Sequence, residues 1–264
     1  RSGKANFKKA PGLNSLGQNV IHSYNMKQEK VLITGANGQI GSVLTQALIK
    51  RFGADQVWAT DIREPETAVA SHFTLLDVLD KDAMLDLVKR EKISQIYHLA
   101  AILSAKGEEQ PLRTWDINMK GWFNVLEVGR ESQLQRLFFP SSIAVFGSQT
   151  PPEDTPQRTH LYPETVYGIS KVAGEQWGLY YYQRYGLDIR SLRYPGIIGY
   201  QSLPGGGTTD YAVDIFHQAL QRGSYDCFLK PDTYLPMIYM EDAIRATLEL
   251  MEAPEENIRV RTAY

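Results

Sequence analysis

Lys30-Val31-Leu32-Ile33-Thr34-Gly35-Ala36-Asn37-Gly38-Gln39-Ile40-Gly41 decides the fold of this 264-residue chain. A short β-branched apolar run, Val31–Thr34, reads as a buried strand. Three glycines follow at G-x-x-G-x-x-G spacing, and an amphipathic stretch from about Ile40 to Phe52 reads as a helix. A strand–glycine loop–helix unit lets the backbone come close to a diphosphate and presents free N–H donors and a positive dipole end. On its own it also reads as a tight strand–helix turn without ligand. Asp61 adds weight: it ends a second run, Val57–Thr60, 61 − 41 = 20 residues after the last glycine. That spacing suits a carboxylate accepting hydrogen bonds from an adenosine ribose, and such a carboxylate repels a 2′-phosphate, favouring NAD over NADP. Ile62 and Arg63 flank it, and Arg63 partly counters that preference; the alternative for Asp61 is a turn or helix cap.

Outward from this unit, short apolar runs alternate with helix-length segments. Strands are expected at Phe73–Leu76, Gln95–Leu99, Leu137–Pro140 and Ile189–Arg193. Helices are expected at Asp82–Lys89, through Trp115–Arg130, from Pro163 to Tyr185, near Tyr211–Arg222 and at Met240–Met251. The alternation predicts βαβ units and an α/β, doubly wound parallel sheet. Gly196–Asp210 is glycine-rich and reads as irregular, and prolines 151, 152, 156 and 163 mark a loop. Asp77 and Val78, after the third strand, are expected at the adenine edge, with an N-cap role for Asp77 as the alternative.

Residues 1–25 carry Arg1, Lys4, Lys8 and Lys9 without an acidic residue. They read as an extension added for expression, with Met26 as the start, or as a transit-like segment broken by Pro11-Gly12. Lys plus Arg total 28 against 30 Asp plus Glu, a net charge of −2, which gives no electrostatic footprint for nucleic acid or an anionic membrane. A single cysteine, Cys227, excludes an intrachain disulfide and a cysteine-rich zinc site, and suits a reducing compartment. The five histidines show no ligand spacing, so no metal is expected; His98 reads as a core residue.

Tyr167-Gly168-Ile169-Ser170-Lys171 places a phenol and an amine one helical turn apart on one face. A tyrosine beside a lysine is ordinarily a surface pair, but Ser142 closes a nearby strand of this dinucleotide-type pattern. A lysine ammonium favours the ionised phenol, which then serves as general base towards an alcohol while NAD supplies the hydride acceptor.

At this point the chain resembles the extended short-chain dehydrogenase/reductase superfamily. The resemblance rests on Gly35–Gly41, Asp61, Leu99-Ala100-Ala101, Asn118, Ser141-Ser142 and Tyr167 with Lys171, in family order over residues 30–250. It implies a Rossmann-type fold for residues 26–264 with a small, interleaved and partial C-terminal substrate-binding subdomain, about 196–222 and 235–264. It implies Tyr167 as base, Lys171 as its pKa modulator and ribose ligand, Ser142 on the reacting oxygen and Asn118 as support. Within the superfamily, sugar-nucleotide epimerases and dehydratases carry an Asn where this chain has Pro195-Gly196, and an Arg-Asp pair where it has Leu235-Pro236. Arg193-Tyr194-Pro195-Gly196-Ile197-Ile198, the run from Pro204 through Gly205, Gly206, Gly207, Thr208, Thr209 and Asp210 to Tyr211, and Leu235-Pro236-Met237 instead look like the NAD-dependent L-threonine 3-dehydrogenases. That implies oxidation of the threonine Cβ alcohol to 2-amino-3-oxobutyrate, with Tyr194, Pro195 and Ile197 near the cofactor. Ser104, Ser142, Tyr167, Gly207, Thr208 and Thr209 would lie near the amino acid. Gly205–Gly207 reads as a mobile loop and as a closing lid. The resemblance further implies a homodimer through helices at about 111–131 and 163–185. It also implies a cytoplasmic location, or the mitochondrial matrix in a eukaryote. Members normally continue beyond the equivalent of Tyr264, which leaves part of the amino-acid pocket outside a truncated or naturally short chain, and a silent NAD-binding fragment as a further alternative.

Overall fold

The computed structural model describes residues 29–66, 70–201, 209–259 and 261. The expected N-terminal extension 1–25, the proposed lid Gly205–Gly207 and Thr208 lie outside the described residues.

Six strands form one parallel sheet: β1 (Val31–Thr34), β2 (Val57–Asp61), β3 (His72–Leu75), β4 (Gln95–His98), β5 (Arg136–Ser142) and β6 (Ile189–Tyr194). Their order is β3-β2-β1-β4-β5-β6, so the chain reverses its direction of travel across the sheet between β1 and β4. The doubly wound α/β fold expected from the alternating pattern is the one observed. Strands β1 and β4 are buried at every residue, which is why they read as apolar runs rather than alternating ones.

The helices split between the two faces. On one side α2 (Lys81–Glu91), α4 (Pro111–Glu131) and α5 (Val166–Tyr185) bury Met84, Leu87, Trp122, Val125 and Tyr181 against Leu32, Ile96, Leu137 and Phe139. On the other, α1 (Gln39–Phe52) and α7 (Met240–Glu252) bury Leu44, Leu48, Met240, Ala243 and Ile244 against Val31, Ile33, Tyr97 and Phe138. Alternate residues of β1 thus feed opposite cores, as the strand period of two requires. Since α7 shares this core with β1 and α1, residues 240–252 pack as part of the main layer.

Three features depart from the sequence expectation. Helix α5 starts at Val166, three residues after Pro163, because Thr165 Oγ1 accepts from the Gly168 N–H (3.0 Å) and caps it. Asp80, not Asp77, caps α2, accepting from the Ala83 N–H at 3.0 Å. Gly196–Ile198 is a strand, β7, paired in parallel with β8 (Met237–Tyr239), because the register Gly196–Met237 is available only across the fold. The chain also forms α3 (Ser104–Glu108) and α6 (Tyr211–Arg222).

Candidate active site

A cleft of about 390 Å³ opens at the carboxyl ends of β1, β4, β5 and β6. This is where a doubly wound sheet places its ligands, outside the point at which the strand order reverses.

The glycine loop forms its floor. Gly35 has φ +73°, and a Cβ there would lie 2.7 Å from the Ala100 nitrogen. At Gly41 a Cβ would collide with the Gly35 carbonyl oxygen and lie 2.8 Å from the Ala36 Cα. Only glycine lets this turn close against the next loop. The N-terminus of α1 begins at Gly38 with no side-chain cap and no acid in its first turn, leaving N–H groups free towards the cleft. Gly35, Gly38, Gln39, Ile40 and Gly41 all line it.

Asp61 stands at the end of β2 beside that loop, its carboxylate accepting from the Asn37 N–H (3.1 Å) and the Arg63 N–H (3.4 Å). Asn37 Nδ2 donates to the Arg63 carbonyl (2.7 Å), while its buried Oδ1 has no partner. Ile62 and Arg63 are exposed beside it. Asp77 and Val78 do not line the cleft: Asp77 accepts from the Leu79 N–H (2.9 Å), and Val78 is buried in the core against α4. An uncapped helix N-terminus, a loop that excludes Cβ atoms and an orphaned acceptor beside a carboxylate fit the diphosphate and ribose of NAD.

The wall after β4 carries Leu99 and Ala101, with Leu103 and Ser104. Ala100 and Asn118 lie behind it with His98, around a small cavity. Asn118 latches this loop: the Ile102 N–H donates to its Oδ1 (2.8 Å) and its Nδ2 donates to the Ile102 carbonyl (3.1 Å). His98 is buried, hydrogen-bonded to Thr34 Oγ1 at 2.9 Å, and burial drives its ring down to about 3, so it stays neutral.

The opposite wall brings together the end of β5 and the first turns of α5. Ser141, Ser142, Tyr167 and Lys171 line the cleft, as do Tyr194, Pro195, Gly196, Ile197 and Thr209. Lys171 Nζ donates to the Pro140 carbonyl at 2.7 Å and lies 5.1 Å from the Tyr167 ring centroid and 4.8 Å from that of Phe139. Burial pushes the Lys171 amine down to about 7, with Glu175 pulling it back up. Burial pushes Tyr167 up to about 12, and a hydrogen bond with Ser142 pulls it down. Burial thus acts against the charged form of both groups, the phenolate and the ammonium. Ser142 Oγ also accepts from the Ala144 N–H (3.1 Å), which fixes its aim.

Ile143, Ala144, Leu103 and Asp210 also line the cleft and were not singled out in the sequence. The two residues after Ser142 belong to the 3-10 turn Ile143–Val145, which has no pattern of its own.

The NAD dependent epimerase/dehydratase family model matches residues 31–262. The chain is 50% identical over 237 residues to mitochondrial L-threonine 3-dehydrogenase of Bos taurus, and this covers 89% of the chain and 63% of the bovine protein's length. Among solved structures it resembles a GalE-like L-threonine dehydrogenase from Cupriavidus necator in holo form. Identity is 51% and the TM-score 0.86, covering 89% of this chain and 76% of that one. It also resembles a monomeric L-threonine 3-dehydrogenase from a metagenome database in apo form. There identity is 46% and the TM-score 0.85, covering 89% and 75%. With its doubly wound sheet, its glycine-loop cleft and a family match spanning most of its length, the chain belongs to the NAD dependent epimerase/dehydratase family.

Proposed function

We propose that this chain oxidises the β-hydroxyl of L-threonine, with NAD as cofactor. The observation that carries the reading is the convergence of Ser142, Tyr167 and Lys171 on one wall of a cleft whose floor is a glycine loop. The L-threonine dehydrogenases among its relatives support the choice of substrate.

Gly35–Gly41 and the start of α1 would hold the diphosphate, with Asp61 at the adenosine ribose and Lys171 at the other. NAD, when bound, supplies the acceptor for the hydride leaving Cβ. Ser142 donates a hydrogen bond to the reacting oxygen and orients it. Tyr167, as phenolate, takes the hydroxyl proton, and Lys171, held by the Pro140 carbonyl, stabilises the phenolate. Ser104 and Thr209 reach the same cleft and offer compact hydroxyls to a small zwitterion. Pro195-Gly196 and Leu235-Pro236 supply no cationic or amide group for a nucleotide diphosphate, which favours threonine over a sugar nucleotide.

NADH formation with L-threonine, run beside L-serine, L-allo-threonine and UDP-sugars, tests the reading. Threonine-dependent NADH absent with UDP-sugars supports it. Turnover of a UDP-sugar alone replaces it with the epimerase reading, and NAD binding without any turnover replaces it with a silent binder.

The assembly we infer is a homodimer through α4 and α5, whose surfaces expose Leu112, Ile169, Trp177, Tyr180 and Tyr185. Sedimentation at the 29.8 kDa chain mass rather than twice that would instead match its monomeric relative. No helix of the described residues is long and apolar enough to cross a membrane. For the compartment we keep the cytoplasm, or the mitochondrial matrix in a eukaryote.

A further inference from the structure

Behind Tyr167 and Lys171, α5 carries a third polar side chain on the same face. Glu175 is one turn past Lys171 and only 1% exposed. Its carboxylate takes a bidentate grip from β6, Arg193 Nε to Oε1 at 2.8 Å and an Arg193 terminal nitrogen to Oε2 at 2.7 Å. From β5, Ser141 Oγ donates to Oε1 at 2.5 Å. Ser141 lines the cleft but is 2% exposed, and its hydroxyl is spent on this carboxylate. The three elements joined at Glu175 are β5, which ends in Ser142, β6, which ends in Tyr194, and α5, whose first turns carry Tyr167 and Lys171.

A buried carboxylate is retained only when paired, and apolar packing would ordinarily serve a helix–sheet contact as well. We infer that Glu175 is a positioning residue for the acid–base pair: clamped by Arg193 and Ser141, it sets how readily Lys171 holds its proton. The inference rests on the reading of Tyr167 and Lys171 given above. The groups facing Lys171 are few. On its own helix they are Tyr167 and Glu175. From β4 comes His98, which is neutral, and from β5 the Pro140 carbonyl and the Phe139 ring. From α4 comes the uncharged amide of Asn118, which lines a small cavity together with Lys171. Among the described residues Glu175 is the anion whose charge opposes the burial of the ammonium. Arg193 in turn neutralises part of that anion.

This makes opposite signs for two substitutions in one ion pair. Glu175→Gln removes the anion, so Lys171 loses its proton more easily. Arg193→Gln leaves the anion unscreened, so Lys171 holds its proton more tightly. A purely structural clamp would be damaged in the same direction by both. The test is a pH titration of the lysine side-chain carbons by NMR on the full chain without added cofactor, with the Lys171 signal assigned by its loss in Lys171→Met. Glu175→Gln is expected to lower the Lys171 midpoint by roughly one pH unit, and Arg193→Gln to raise it. The rising limb of the pH profile for threonine oxidation moves the opposite way. It shifts to higher pH in Glu175→Gln, with about a tenfold loss of kcat/KM below its midpoint, and Glu175→Asp restores most of it. Unmoved midpoints, or midpoints moving together in both variants, overturn the inference. Tyr167→Phe separates the two claims: full activity in that variant sinks the proposed chemistry, whereas an inactive Tyr167→Phe beside unmoved Lys171 midpoints sinks only the role of Glu175. If Glu175→Gln does not fold, the sign of the Arg193→Gln shift still decides.

Discussion

Replacing Lys171 with methionine should stabilise the chain at neutral pH while abolishing its chemistry. Lys171 is 4% exposed, and its amine is depressed from 10.5 to about 7 by burial. A lysine whose folded pKa is lowered sheds its proton in the native state while the unfolded chain keeps it. Between about pH 7 and 10.5 the unfolded state therefore binds more protons, and stability rises with pH across that window. At pH 7 the penalty amounts to about 4 kcal/mol, falling to about 2 kcal/mol at pH 9. Methionine has nearly the same shape and carries no charge to desolvate, but it loses the hydrogen bond from Nζ to the Pro140 carbonyl (2.7 Å), which from the neutral amine contributes about 1 kcal/mol. The net expectation for Lys171→Met is a gain of about 3 kcal/mol at pH 7, shrinking to about 1 kcal/mol at pH 9. Urea unfolding followed by circular dichroism at the two pH values measures it, since groups remote from Lys171 titrate equally in both chains and cancel. A variant less stable than the parent at pH 7, or a difference that does not change with pH, would refute the reasoning that this amine is held against its desolvation.

Three further outcomes follow from the same geometry. Asp61→Asn should relax the preference for NAD over NADP by about tenfold or more in kcat/KM, because a carboxylate that repels a 2′-phosphate becomes neutral; an unchanged ratio would place the discrimination elsewhere. Gly41→Ala drives a Cβ into the Gly35 carbonyl and should lower the unfolding free energy by about 1–3 kcal/mol and weaken NADH binding, read by nucleotide fluorescence. Arg190→Met should destabilise by about 3–5 kcal/mol, since Arg190 is 1% exposed, pairs with Asp188 and donates to the Leu250, Met251 and Ala253 carbonyls at the end of α7; the pH profile of catalysis should keep its shape.

The sheet was legible because parallel strands buried on both faces are continuous apolar runs, and all six expected strands are present. Gly35, Gly38, Gly41, Ser142, Tyr167 and Lys171 could be singled out because each sits at a fixed offset from a predicted element end, and all six line one cleft. What was not legible depends on pairing at a distance. β7 is three residues long and exists only because Met237–Tyr239 runs beside it. Val78 looks like Asp77's neighbour in sequence, yet the strand end turns it into the core beside α4. Glu175 reads as one more charged helix residue until Arg193 and Ser141 are brought to it from two different strands.

An ammonium eases the ionisation of Tyr167 only while Lys171 is charged, and burial works against both charges. With the phenol pushed up to about 12 and the amine down to about 7, the resting pair at mildly alkaline pH is neutral. Charging it requires attraction between the two groups to offset their desolvation. At the 5.1 Å that separates Nζ from the ring centroid, an effective dielectric of about 20 gives roughly 3 kcal/mol, a factor of about 10² in the ionisation equilibrium. That factor makes the phenolate more accessible but leaves it a minor species in slightly alkaline solution. It is available only to the fraction of chains in which Lys171 keeps its proton. The pH dependence of such a site is therefore governed by the lysine as much as by the tyrosine. A substitution that alters the proton affinity of Lys171 should move the rate profile even when Tyr167, Ser142 and the glycine loop are untouched.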